Sequence, residues 1–188
     1  MRNTYFLLRH GQNSHQVQKK GQIYPWPEPS PILLTEKGKR DVKKAAKELK
    51  KIGIDVIYSS DVPRARQTAE IVAKELGLKV FFDSRLRDVN VGIFHGRPEE
   101  ELKRAIPLRD RLTCRPPGGE SWIDVQKRML SFLQEIDKKY KNKKILIVGH
   151  KGPLWLLEAA IKGLGQKEIF EIKKKGLPCA QFRKLETR

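Results

Sequence analysis

Residues 4–11 read Thr4-Tyr5-Phe6-Leu7-Leu8-Arg9-His10-Gly11, and the change of character within that stretch decides the fold. A short apolar run that stops abruptly at polar residues has the pattern of a buried strand. The triplet Arg9-His10-Gly11 therefore sits at a strand's carboxyl end. The pattern returns at Ile145-Leu146-Ile147-Val148, which stops at Gly149-His150-Lys151-Gly152-Pro153. Between the two, Val56 to Tyr58 reads as a second buried strand. It leads through Ser59-Ser60-Asp61 to Pro63 at a first helical position, with Arg64 next.

Working outward, helical periodicity fills the intervals. Thr35 is an N-cap for a helix whose inner face is Val42, Ala45, Ala46, Leu49 and Ile52, closed by Gly53. Ile71, Val72 and Leu76 mark the helix after Pro63. Trp122, Val125, Met129, Phe132, Leu133 and Ile136 mark a long amphipathic one, and a further helix runs from Pro153 through Ile161. Val80 to Phe82 is a third short strand, and Cys179 to Lys184 is a candidate edge strand. Arg85 to Gly96 shows little periodicity, and Pro98 opens a charged helix through Arg104. Gly21 to Pro31 carries Pro25, Pro27, Pro29 and Pro31 beside Trp26, an irregular surface loop that can serve as a lid or wall. Strands alternating with helices predict an α/β fold, a mainly parallel sheet with helices on both faces. Without a linker or an internal repeat, residues 1–188 are expected to form a single domain.

The bulk properties fit a globular chain able to bury a core without staples: 188 residues, 38% hydrophobic and 33% charged. Cys114 and Cys179 have no spacing suited to a disulfide framework or a zinc site. No run approaches the ~20 apolar residues of a membrane helix, and residues 1–8 are too short and polar for a signal peptide, so a cytoplasmic protein without a membrane partner is expected. A net charge of +18 favours anionic partners: nucleic acid, a membrane surface or phosphorylated small molecules. Lys43, Lys44, Lys47, Lys50 and Lys51 fall on helical faces between apolar positions and read as solvated.

Ligands of open α/β sheets bind at the carboxyl ends of the strands. Three of the expected strands lead there to Arg9 with His10, to Arg64, and to His150. Planar guanidinium forks bind phosphoryl oxygens through paired, charge-assisted hydrogen bonds. A neutral imidazole nitrogen can attack phosphorus, provided its other nitrogen is oriented. His15 and His95 make no ligand spacing and read as loop or surface histidines, and Arg66 as a surface ion-pair partner.

The ordered blocks resemble the histidine phosphatase superfamily, which includes the cofactor-dependent phosphoglycerate mutases. Leu8-Arg9-His10-Gly11 looks like the block whose His is phosphorylated and whose Arg binds phosphate. Ser59-Ser60-Asp61-Val62-Pro63-Arg64-Ala65-Arg66-Gln67-Thr68-Ala69 is similar to the second block, with Arg64 at its phosphate-binding Arg. Leu33 to Gly38, Pro117 to Ser121 and Val148-Gly149-His150 match further segments, the last carrying the second histidine. The resemblance implies a three-layer α/β/α sandwich in which His150 stabilises charge on the transferring group.

The chain departs from the family pattern at three informative positions. Asp88 stands where the proton-donating carboxylate is usually Glu, and Glu120 is the alternative donor. Gln16 stands where relatives have a phosphate-contacting Asn, and its amide can make the same type of bond. Lys151 follows His150, either as a third cation for a doubly charged substrate or as a solvent-facing side chain.

The resemblance implies a phosphoric monoester hydrolase that needs no metal or other cofactor. It would act on a small phosphorylated metabolite through phospho-His10, with His10, Asp88 and His150 catalytic and Arg9, Arg64, Gln16 and Lys151 binding phosphate. The nearest alternative is a phosphoglycerate mutase, disfavoured because a short chain has little room to shield phosphohistidine from water. A basic nucleic-acid-binding module is the third reading, weakened by the lack of a recognised motif.

Overall fold

The expected amino-terminal strand forms as β1 (Thr4–Arg9) in a computed structural model that describes residues 1–186. It lies beside β4 (Lys144–Gly149) in parallel register, Thr4 opposite Lys144 and Arg9 opposite Gly149. β2 (Val56–Ser59) flanks β4, β3 (Val80–Phe82) flanks β2, and β5 (Phe182–Lys184) pairs antiparallel with β1. The five-stranded order is therefore β3-β2-β4-β1-β5, mainly parallel with one antiparallel edge.

Alternation along the central strands divides the core in two. Tyr5, Leu7, Ile145 and Ile147 pack with α5 (Trp122–Lys139) and α6 (Lys151–Ile161) on one face. Phe6, Leu8, Leu146 and Val148 pack with α2 (Glu36–Ile52) and α3 (Pro63–Leu76) on the other. These are the layers of an α/β/α sandwich, and β1 and β4 are buried on both sides, as parallel strands under helices must be.

Local chemistry sets the ends. The Thr35 side chain accepts the Gly38 N–H, and Gly53 closes α2 in the left-handed region at φ 77°. Pro63 opens α3 as expected. Pro98 instead stands just outside α4 (Glu99–Ala105), as its N-cap residue. Two helices were not legible: α1 (Ser14–Gln18), which buries no residue, and α7 (Gln166–Lys174), where Ile169 is buried among charged positions. Gly38 permits a close approach, because a Cβ there would stand 2.1 Å from the Gln12 carbonyl oxygen. The amino end of α2 is thereby seated against the loop that follows His10. No helix among the described residues is long and apolar enough to cross a membrane.

Candidate active site

The β1–β4 register brings the two strand-end histidines together. The His10 N–H donates to the Gly149 carbonyl at 3.0 Å, and the His10 and His150 ring centroids are 5.3 Å apart. Both residues are buried, at 2% and 0% exposure. The loop after β1 is tied to α3 by Thr68, whose hydroxyl accepts the Gly11 N–H and donates to the Arg64 carbonyl.

The His10 tautomer follows from its neighbour. Its Nδ1 lies 2.9 Å from the Gly11 carbonyl oxygen, which can only accept, so Nδ1 carries the hydrogen and Nε2 holds the free lone pair. Burial, followed by the charges of His150, Arg64 and Arg9, drives its pKa well below the ordinary 6.5. The ring is therefore neutral at pH 7. For His150, burial and then Arg64, Arg128 and Arg9 do the same. His150 Nε2 lies 3.0 Å from Ser60 Oγ, which already accepts the Val62 N–H. Assigning Ser60 as donor to Nε2 leaves the His150 hydrogen on Nδ1.

Arg64 is 2% exposed, and its guanidinium lies 3.9 Å from the Tyr24 ring centroid. Its Nη1 donates to Glu28 at 2.7 Å, and its Nη2 to Asp88 at 3.4 Å. Arg9 donates from Nη1 to the Leu177 carbonyl. Three buried nitrogens of this group have no partner within the protein: Arg9 Nε, Arg64 Nε and His150 Nδ1. Buried polar groups are otherwise nearly always satisfied. Cationic and N–H donors left over beside a neutral imidazole have the chemistry of an oxyanion site.

Asp88 and Glu120 differ in how they are engaged. Asp88 Oδ2 stands 3.7 Å from His150 Nδ1, while Oδ1 accepts the Val89 N–H. Glu120 accepts a fork from Arg128 at 2.8 and 3.1 Å, and also the Asn90 N–H. The same Arg128 donates to the carbonyls of Arg85, Arg87 and Asp88, so Glu120 and Arg128 hold the segment that carries Asp88.

A cavity of about 300 Å³ opens beside this cluster, lined by Tyr24, Trp26, Glu28, Arg64, Arg87 and Asp88 among others. His10 and His150 are not in its lining; Arg64 and Asp88 join the two regions. The proline-rich loop is thus a wall of the cavity. His95 also reaches it, donating from Nδ1 to the Tyr24 carbonyl and accepting the Val91 N–H on Nε2. His15 stacks on Tyr24 with ring centroids 4.4 Å apart, and exposed Arg66 lies 3.9 Å from Glu70.

The other two expected phosphate ligands have these surroundings. Gln16 shares a capping box with Asn13 and places its Nε2 3.4 Å from Cys179 Sγ. Lys151 is exposed at the start of α6 and lines a neighbouring cavity. Glu28 and Tyr24 escape sequence reasoning, because no periodicity or motif marks a residue delivered by a loop, whereas Ser60 lies within the second block without a role of its own there. The only signal was the cluster of prolines around Glu28.

Comparison with known proteins identifies the family. The profile of the histidine phosphatase superfamily (branch 1) matches residues 5–184. A protein of Escherichia coli O1:K1 / APEC, named probable phosphoglycerate mutase GpmB, is 33% identical over 165 residues, covering 85% of this chain and 74% of its own length. The mycobacterial glucosyl-3-phosphoglycerate phosphatase Rv2419c superposes with a TM-score of 0.81 at 26% identity, over 96% of this chain and 88% of its own. Bacillus stearothermophilus YhfR superposes with a TM-score of 0.81 at 28% identity, over 99% and 92%. With its strand-end histidines side by side and the family's blocks along nearly its whole length, the chain belongs to the histidine phosphatase superfamily.

Proposed function

We propose that this protein hydrolyses phosphomonoesters of small molecules through a phosphohistidine at His10. The observation that carries the reading is the set of unpartnered buried donors, Arg9 Nε, Arg64 Nε and His150 Nδ1, around a neutral His10 whose Nδ1 hydrogen is already committed. In the first step His10 Nε2 attacks phosphorus, the ester P–O bond breaks, and the leaving oxygen takes a proton from the Asp88 carboxyl. In the second, water attacks the phosphohistidine, Asp88 takes its proton, and the N–P bond breaks to release phosphate. Arg9, Arg64 and His150 spread the charge of the transferring group in both steps. Asp88 is preferred to Glu120 as donor because Glu120 already accepts two hydrogen bonds from Arg128 and a third from the Asn90 N–H.

The test is turnover of p-nitrophenyl phosphate in the presence of a chelator. Wild type should release phosphate and His10→Ala should not; equal rates would refute the reading. A mutase reading is favoured by the likeness to GpmB. Steady interconversion of phosphoglycerates with negligible phosphate release would select it.

A further inference from the structure

Residues 87–91, which carry Asp88, belong to no helix or strand. Backbone polar groups in such a stretch need partners from elsewhere. One side chain of α5 supplies three of them. Arg128 donates from Nη1 to the carbonyls of Arg85 and Arg87, at 2.5 and 2.9 Å, and from Nη2 to the Asp88 carbonyl at 3.1 Å. Its Nε and the second Nη2 hydrogen form the fork on Glu120, at 2.8 and 3.1 Å. Each of the guanidinium's N–H groups therefore has an acceptor.

Glu120 completes the clamp. Its N–H donates to the Asn90 carbonyl at 2.8 Å, and its Oε2 accepts the Asn90 N–H at 3.0 Å. The carbonyls of residues 85, 87, 88 and 90 thus all end on the Arg128–Glu120 pair. Apolar contacts hold the flanks. Leu86 is buried at 1% in the core shared with α5 and α6, and a Cβ on Gly152 would meet Val89 Cγ2 at 3.0 Å and Asp88 Oδ1 at 3.5 Å. The segment is pinned between α5 and the amino end of α6. Arg128 reaches Asp88 through its main-chain carbonyl, which leaves the carboxylate for the site, with Oδ2 3.4 Å from Arg64 Nη2 and 3.7 Å from His150 Nδ1. A polar network with its members satisfied is rigid and holds one arrangement.

We infer that Arg128, braced by Glu120, is the positioning residue of the proton donor. It acts on one event: as the ester P–O bond breaks, the proton passes from the Asp88 carboxyl to the leaving oxygen, and Arg128 fixes where that carboxyl stands. The inference rests on the phosphatase reading and deepens it. It gives Glu120 a part in the reaction through Arg128 and Asn90, with no proton of its own to transfer.

The test compares n-butyl phosphate, whose alkoxide must be protonated to leave, with p-nitrophenyl phosphate, whose phenolate leaves readily without a proton. Arg128→Met should lose about 10²-fold in kcat on butyl phosphate, the scale expected when a catalytic group is displaced by ~1 Å. KM should change little, and so should kcat on p-nitrophenyl phosphate. In Arg128→Met combined with Asp88→Asn, the loss on butyl phosphate should equal that of Asp88→Asn alone, because a misplaced donor and a missing one withhold the same proton. A melting curve for each variant shows that it is folded, and Glu120→Gln, with the same selective loss expected, supplies the test if Arg128→Met is not. Equal losses on the two esters, or a loss that multiplies that of Asp88→Asn, overturns the positioning role. A selective loss in Asp88→Asn with none in the folded clamp variants overturns it too, and leaves the phosphatase reading standing. A uniform loss in Asp88→Asn removes Asp88 as donor and the inference with it. Turnover of both esters by wild type no faster than by His10→Ala refutes the phosphatase reading itself.

Discussion

Glu28→Gln separates two roles for the carboxylate that meets Arg64. The pair is nearly sealed from water, with side-chain exposures of 3% and 6%, and its Nη1 to Oε1 distance is 2.7 Å. The other oxygen, Oε2, accepts the Ile32 N–H at 3.0 Å. A glutamine keeps the shape but has one acceptor for two donors and no charge, so Arg64 is left as a buried cation with one carboxylate, Asp88, at 3.4 Å. Breaking a buried pair costs about 3–5 kcal/mol. At the lower end, near 3 kcal/mol, the melting temperature of a chain this size should fall by about 6–12 °C. Bound phosphate replaces the missing negative charge, so it should recover part of that loss. Recovery of ~1.4 kcal/mol corresponds to phosphate binding about tenfold tighter than in wild type. Thermal melts across a phosphate titration measure both quantities. A variant that melts with wild type, or that binds phosphate more weakly, refutes the view that Glu28 neutralises Arg64 in competition with the phosphoryl group.

If Asp88 protonates the leaving oxygen, Asp88→Asn should lose ~10²–10⁴ in turnover of alkyl phosphates and far less with p-nitrophenyl phosphate, whose leaving group needs little help. A uniform loss across leaving groups would move the role elsewhere. His10 and His150 both have pKa values well below 6.5, so the unfolded chain binds more protons than the folded one below that pH. Their contribution to stability is complete above pH ~6.5 and is lost as pH falls towards the folded values. His150→Gln should therefore lose less stability than wild type between about pH 7 and pH 5 in urea titrations, and parallel losses would contradict the linkage. Gly38→Ala must displace the Gln12 carbonyl, 2.1 Å from the added Cβ. It should destabilise by more than about 3 kcal/mol, and a denaturation midpoint equal to wild type would show that the contact relaxes freely.

The elements that were legible in the sequence are those whose burial is written into consecutive residues. β1 and β4 are apolar runs buried on both faces, and α5 carries its buried stripe at Trp122, Val125, Met129, Phe132, Leu133 and Ile136. α1 was illegible because it buries nothing and is held by the reciprocal bonds of Asn13 and Gln16. The same divide runs through the site. His10 and His150 are fixed by strand register, which pairs Arg9 with Gly149 and so aligns the residues that follow. Glu28 arrives through a loop whose course depends on distant partners, Gly96 and His95 for the Tyr24 carbonyl and Arg64 for the Glu28 carboxylate. Such partners leave no trace at any fixed spacing. Asp88 and Glu120 are both carboxylates in segments without regular periodicity, and their different engagement with Arg128 is a tertiary fact.

Net charge alone gives this chain little selectivity. Its +18 attracts any polyanion that comes within a Debye length, ~8 Å at physiological salt. Many of its surface cations are already paired, as Lys37 is with Asp41 and Lys51 with Glu48. Around the first cavity the pairing is tighter, since Glu28, Asp61 and Glu120 each hold an arginine fork or arm. Discrimination must then come from buried donors that the protein's own pairing leaves without a partner, as Arg9 Nε, Arg64 Nε and His150 Nδ1 are beside His10. An anion seated there meets donors already desolvated and held in place and gains little from the other lysines of the chain, which is how a strongly basic surface can serve a selective site.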